Sequence, residues 1–121
     1  MALHVDTFAA ATEPTLQLLE RFYAIRGPEE IAEFFDTHPL FAPLLIEARS
    51  ELEKHFGSKS TVALQVAHDP EWRGLVNLFG YIITSLNPEE AGKRLRQFDR
   101  EWFLKQDNAV LEILNFDLEY V

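Results

Sequence analysis

Cysteine is absent from the chain's 121 residues. That excludes a disulfide framework, a thiolate nucleophile and any cysteine-ligated metal, and it suits a reducing compartment. Basic residues are scarce: 11 Lys and Arg stand against 20 Asp and Glu, for a formal net charge of −9. Phosphate backbones are bound by clustered cations that displace counterions. An acidic chain with dispersed bases therefore argues against nucleic acid and against an anionic membrane surface. Acidity aids solubility and speeds encounter with a basic protein. No apolar run approaches the ~18 residues of a membrane span. The opening "MALHVDTFAAATEP" has no basic lead-in and sets Asp6 inside its apolar stretch, so it is a poor secretion signal. The expectation is a cytoplasmic protein without cofactor and without a membrane or nucleic-acid partner.

Signatures of chemistry are missing too. The four histidines show no HExxH or other ligand spacing. No serine lies in a nucleophile-elbow context, and no glycine-rich loop is present to cradle phosphate. The hydroxyl cluster Ser58 to Thr61 lacks flanking glycines for a P-loop and reads as a connection.

What is present is core material. Hydrophobic residues make up 47% of the chain, which places it outside the disordered class. A chain of this size buries roughly two-thirds of its unfolded surface. The reading is one domain over 1–121, with residues 1–11 a loose N-terminal segment. Thr12 caps a first helix, with Glu13 and Pro14 in its first turn and Leu16, Leu19, Phe22 and Tyr23 recurring on one side. "RGP" at Arg26 to Pro28 stops that helix and starts a second, whose apolar face is Ile31, Phe34 and Phe35. A third runs from about Leu40–Pro43 to His55, burying Leu44, Leu45, Ala48 and Leu52, and Gly57 caps it.

The period then changes. "TVALQVAH" alternates and reads as a half-buried strand. "DPEWRG" is a turn and "LVNLFGYIITSL" a second strand, in which Gly80 marks a bend or a close backbone approach. "AVLEILNFDLEY" is a third strand, with Phe116, Leu118 and Tyr120 inward and Asn115, Asp117 and Glu119 outward. The order α-α-α-β-β-α-β predicts an α+β fold. Unmixed sheets are favoured, so the three strands are expected as an antiparallel sheet of order 2-1-3, with helices on one face. The other face would carry Phe79, Tyr81, Ile83, Leu111 and Ile113 beside the polar row.

Between strands two and three lies "NPEEAGKRLRQFDREWFL". Asn87 is a natural N-cap, Pro88 fits the first helical position, and Glu90 can close a capping box. Glu89 with Lys93 and Glu90 with Arg94 are spaced as supporting ion pairs. Ala91, Leu95, Phe98 and Trp102 form one stripe for the sheet. Asp99 and Glu101 point about 200° apart at roughly 100° per residue, so they cannot share a substrate. The stretch is a packing helix.

This helix also carries a resemblance. "HPLFAPLLIEARSELEKHFG", "LQVAHDPE" and "TSLNPEEAGKRLRQFDREWFL" before "LNFDLEY" resemble a family of short bacterial proteins frequent in cyanobacteria. That family shows an "HP…LL.EA…I..YF" helix, an "LEV..DPE" strand and turn, and a "T.LSPEEAL..L..FDE.WW" helix. The resemblance covers roughly residues 38 to 120. This chain departs from it at Asn87, Arg100 and Phe103, where Ser, an acid and a second Trp are common. The resemblance implies the fold and transfers neither an activity nor a site.

Two places remain for function. His68, Asp69 and Glu71 offer metal-ligand atom types at the hairpin turn, although Asp69 also suits backbone capping there. Trp72 with Arg73 has the composition of an interface hot spot, as well as that of a side chain folded over the sheet end. Together with Phe79, Tyr81, Ile83, Leu111 and Ile113, they point to protein binding. The function expected is a non-catalytic protein–protein interaction module: an adaptor, an inhibitor or an antitoxin-like neutraliser, with a homodimer through the open sheet face as one form. The alternative is a small metal- or ligand-binding protein or hydrolase using His68, Asp69 and Glu71.

Overall fold

The computed structural model describes residues 15–68, 71 and 75–121. The expected cap at Thr12 and the N-terminal segment lie outside the described residues, as do Asp69, Trp72 and Arg73. The fold is α+β, with helices followed by a sheet. Helix α1 includes residues 15–20 and buries Leu19. The chain then departs from the expected helix. Tyr23 turns inward and donates its hydroxyl to the Leu45 carbonyl, and Ala24–Arg26 form a short strand, β1. Gly27, at φ 67°, takes the left-handed conformation that swings the chain from β1 into α2, where Pro28 occupies the first turn.

Helix α2 (Pro28–Thr37) buries Ile31, Phe34 and Phe35. Helix α3 (Phe41–Phe56) buries Phe41, Leu45, Ala48, Arg49 and Leu52, and ends at Gly57 with φ 91°. Strands β2 (Thr61–His68) and β3 (Val76–Thr84) pair antiparallel in an unbroken register from Thr61↔Ile83 to His68↔Val76. Helix α4 (Pro88–Glu101) follows with the expected cap, the Asn87 side chain accepting from the Glu90 amide at 2.8 Å. A 3-10 turn (Phe103–Lys105) and the short helix α5 (Asn108–Leu111) lead to β4 (Leu114–Tyr120).

The sheet has four strands in the order β1-β2-β3-β4. This corrects the antiparallel three-stranded order. The last strand lies beside β3, not β2, and runs parallel to it from Leu78↔Leu114 to Thr84↔Tyr120. Helix α4 supplies the long connection that a parallel pair requires. The edge of β2 left for that strand is taken by β1, also parallel, with Ala24↔Ala63, Ile25↔Leu64 and Arg26↔Gln65 in register. The sheet is therefore mixed.

One cluster of buried residues joins all of this. Leu19, Ile31, Phe34, Leu45 and Leu52 from the helices meet Val62, Leu64, Leu78, Ile82 and Leu114 of the sheet, and Phe98 and Trp102 close it from α4. Helices thus cover one face. Of the expected stripe on α4, Ala91, Phe98 and the helix-ending Trp102 are buried, and Leu95 packs half-buried against the core. Gly80 is a close approach: its register partner Phe116 lays a ring so near that a Cβ at position 80 would sit 2.7 Å from it.

Candidate binding surfaces

Asp99 and Glu101, the carboxylates of α4, do not converge. Glu101 reaches back to α3, its Oε2 3.4 Å from His55 Nε2. Asp99 is half-buried, and that burial raises its carboxyl above the ordinary aspartate range. The helix is held by structural bonds: Trp102 Nε1 donates to Glu47 Oε1 at 3.0 Å, and Arg94 donates to the His55 carbonyl at 3.1 Å. Arg49 acts similarly. Nearly buried, it donates to the Phe22 carbonyl at 3.0 Å and to the Ser60 carbonyl, tying the α1–β1 turn to the loop before β2.

The face of the sheet away from the helices is the first candidate surface. Alternation along β3 puts Asn77, Phe79, Tyr81 and Ile83 there, all half-buried. Phe79 and Tyr81 stack with centroids 5.6 Å apart and planes 9° from parallel. On β4 the outward row is Asn115, Asp117 and Glu119. Arg26 of β1 crosses this face, with its guanidinium 5.7 Å from the Tyr81 centroid, and pairs with Glu119. The hydrogen bonds from Arg26 hold the Glu119 carboxyl below the usual glutamate range. Leu111 and Ile113 do not join this face, because the chain from Asp107 coils before it extends. Leu111 ends α5, its amide bonded to the Asp107 carbonyl at 3.1 Å, and Ile113 precedes β4. Both pack against the core.

The second candidate surface is a cleft of about 480 Å³ between α2 and the end of the sheet where β2 stops and β3 begins. Phe34, Val66, Leu75, Val76 and Ile113 give it apolar walls; Glu30, Glu33, Thr37, His38 and His68 supply its polar atoms. His68 Nε2 lies 2.9 Å from Glu30 Oε2. The His38 ring stacks on Phe34 with centroids 4.5 Å apart, and its Nδ1 is 3.1 Å from the Phe34 carbonyl oxygen. His68 thus has a carboxylate partner on α2. Among the described residues, no group of three or more His, Asp or Glu gathers to hold a metal ion.

Sequence reading missed Glu30, Glu33 and Thr37 as a surface. Their spacing of three and four residues along the polar side of α2 was the available signal. No signal paired Arg26 with Glu119, because that contact depends on which strands are the sheet's edges. No described helix is long and apolar enough to cross a membrane. No family model, curated protein or solved structure matches the chain, so the functional argument rests on this geometry.

Proposed function

We propose that the chain is a non-catalytic module that binds a basic partner protein across the open face of its sheet. The observation that carries this reading is the half-exposed row Phe79, Tyr81 and Ile83, which no described helix covers, lying beside the acidic row of β4. Aromatic side chains within a polar frame are the composition of protein interfaces. On that face Arg26 is paired with Glu119, so Asp117 and the chain's charge of −9 favour a basic partner. An adaptor, an inhibitor and an antitoxin-like neutraliser all fit.

The test is capture by the tagged chain from its host's lysate at low and then moderate salt. The expected result is one stoichiometric basic protein, lost with rising salt, lost in Tyr81→Ala and Ile83→Asp, and kept in Leu104→Ala on the distant 3-10 turn. Capture indifferent to the two face variants would remove this surface from the argument. A dimer mass in light scattering, abolished by Ile83→Asp, would replace the basic partner with a second copy.

A different observation, the cleft at His68, favours a ligand-binding role alongside this one.

A further inference from the structure

We propose that the cleft between α2 and the sheet end binds a small organic cation: an amine, amidine or guanidine carried on an apolar body. The site is separate from the open sheet face and its use does not depend on the protein-binding reading. A volume of about 480 Å³ is of the size that holds a small organic ligand. Its walls, Phe34, Val66, Leu75, Val76 and Ile113, favour an apolar or aromatic body over a bare ion.

The polar atoms decide the sign of the charge. A backbone carbonyl only accepts, so His38 Nδ1 carries the hydrogen in its 3.1 Å bond to Phe34, and the neutral ring keeps Nε2 as an acceptor. A carboxylate likewise only accepts, so His68 Nε2 donates to Glu30 over 2.9 Å and leaves its Nδ1 as an acceptor. Thr37 spends its hydroxyl hydrogen on the Glu33 carbonyl at 3.1 Å. The Glu33 carboxylate, one turn from Glu30, adds two further acceptor oxygens and a negative charge. Among the described residues of the lining, every uncommitted side-chain polar valence is therefore an acceptor, and neither lysine nor arginine is one of them. A donor-rich cation satisfies those acceptors and offsets the carboxylates. An anion of the same shape would meet the like charge of Glu30 and Glu33.

The test uses the full chain at about pH 8 and at low salt. Phenethylamine and benzamidine are titrated by calorimetry beside phenylacetate, and amide chemical shifts locate the site. Both cations should bind, shifting Glu33, Thr37, His38 and Val66, while phenylacetate should not. Glu33 is exposed, so Glu33→Gln keeps the fold. It should weaken both cations roughly ten- to hundredfold, the loss expected for a charged hydrogen-bond partner, and Glu89→Gln on α4 should leave them unchanged. Equal binding of phenylacetate would overturn the proposal. So would no cation binding at millimolar concentration, affinities untouched by Glu33→Gln, or shifts centred elsewhere.

Discussion

Arg26, on the edge strand β1, and Glu119, on the opposite edge strand β4, meet above the two central strands in a two-pronged ion pair, Nη1–Oε1 2.8 Å and Nη2–Oε2 2.6 Å. Three strand spacings separate the edges of a flat four-stranded sheet by roughly 14 Å. Their register partners are also offset along the sheet, since Arg26 is beside Gln65 and Glu119 beside Ile83. The pair closes only if twist and coiling bring these opposite corners together. It therefore reports the curvature of the sheet and sets the guanidinium over the ring of Tyr81.

A pH signature follows for Glu119. Its carboxyl is held low by the hydrogen bonds from Arg26. A carboxylate depressed in the folded state stabilises the fold above its unfolded pKa of about 4.3 and loses that contribution as pH falls through the folded value. The stability difference between the native chain and Glu119→Gln should thus be present at pH 7 and fade below the ordinary glutamate range. Urea midpoints between pH 2 and 7 give the measurement. The difference should shrink in high salt, because both side chains are partly exposed. A difference independent of pH would mean that the guanidinium packs without needing the charge.

Gly80→Ala tests the close approach inside β3. The added methyl would lie 2.7 Å from the Phe116 ring. That ring cannot simply yield, because it sits edge-on to Phe98 at 5.1 Å and to Phe103 at 5.2 Å. Overpacking of this kind costs about 1–3 kcal/mol. Denaturant unfolding should show the loss, and Gly80→Ala combined with Phe116→Leu should recover part of it. An unchanged midpoint in the single variant would show that the ring moves freely.

Arg49 is a buried tie between two loops, so Arg49→Met should cost stability even though methionine fills much of the space. The partly buried Phe22 and Ser60 carbonyls both lose their donor, and an acceptor left without a partner costs about 1–3 kcal/mol when fully buried and less where water reaches it. Arg49→Lys retains charge but not the planar fork, and should fall between the two. Urea unfolding with an unchanged slope would assign the effect to stability itself. Equal midpoints for all three chains would show that water replaces the arginine.

Much of the architecture is legible in the chain, and the parts that are not share one cause. Helices α2 and α4 declare themselves through Pro28, Pro88, the Asn87 cap and apolar stripes, all of which act within a few residues. Gly57 likewise answers a local need, whereas Gly80 makes room for Phe116, a residue of another strand. The edge strand Ala24–Arg26 is three residues long, too short to display a period, and exists only because β2 offers it an edge. The placement of the last strand, and with it the roles of Leu111 and Ile113, depended on that same edge. The cleft is distributed over α2, β2, β3 and Ile113, so no local motif announces it. His68 was noticed for its neighbours in sequence, whereas its partner Glu30 comes from another element.

Asp99→Asn should stabilise the chain at neutral pH. Burial raises the Asp99 carboxyl, which means that the fold tolerates the protonated group better than the ionised one. A carboxyl raised in the folded state gives a relative benefit that is complete below its unfolded pKa of about 3.9 and is lost as pH rises through the folded value. At pH 7 the ionised group is thus a burden that Asn removes. Solvent screens a half-buried charge, so the gain is on the order of a few tenths of a kcal/mol, corresponding to roughly one or two degrees in melting temperature. The gain should vanish below about pH 3.9, where Asp99 is neutral in both states. Melting curves of the two chains at pH 3 and pH 7 decide the matter. A gain of equal size at both values would assign the effect to the amide's own contacts, and a loss at pH 7 would show that the ionised carboxylate is a bonded part of the fold.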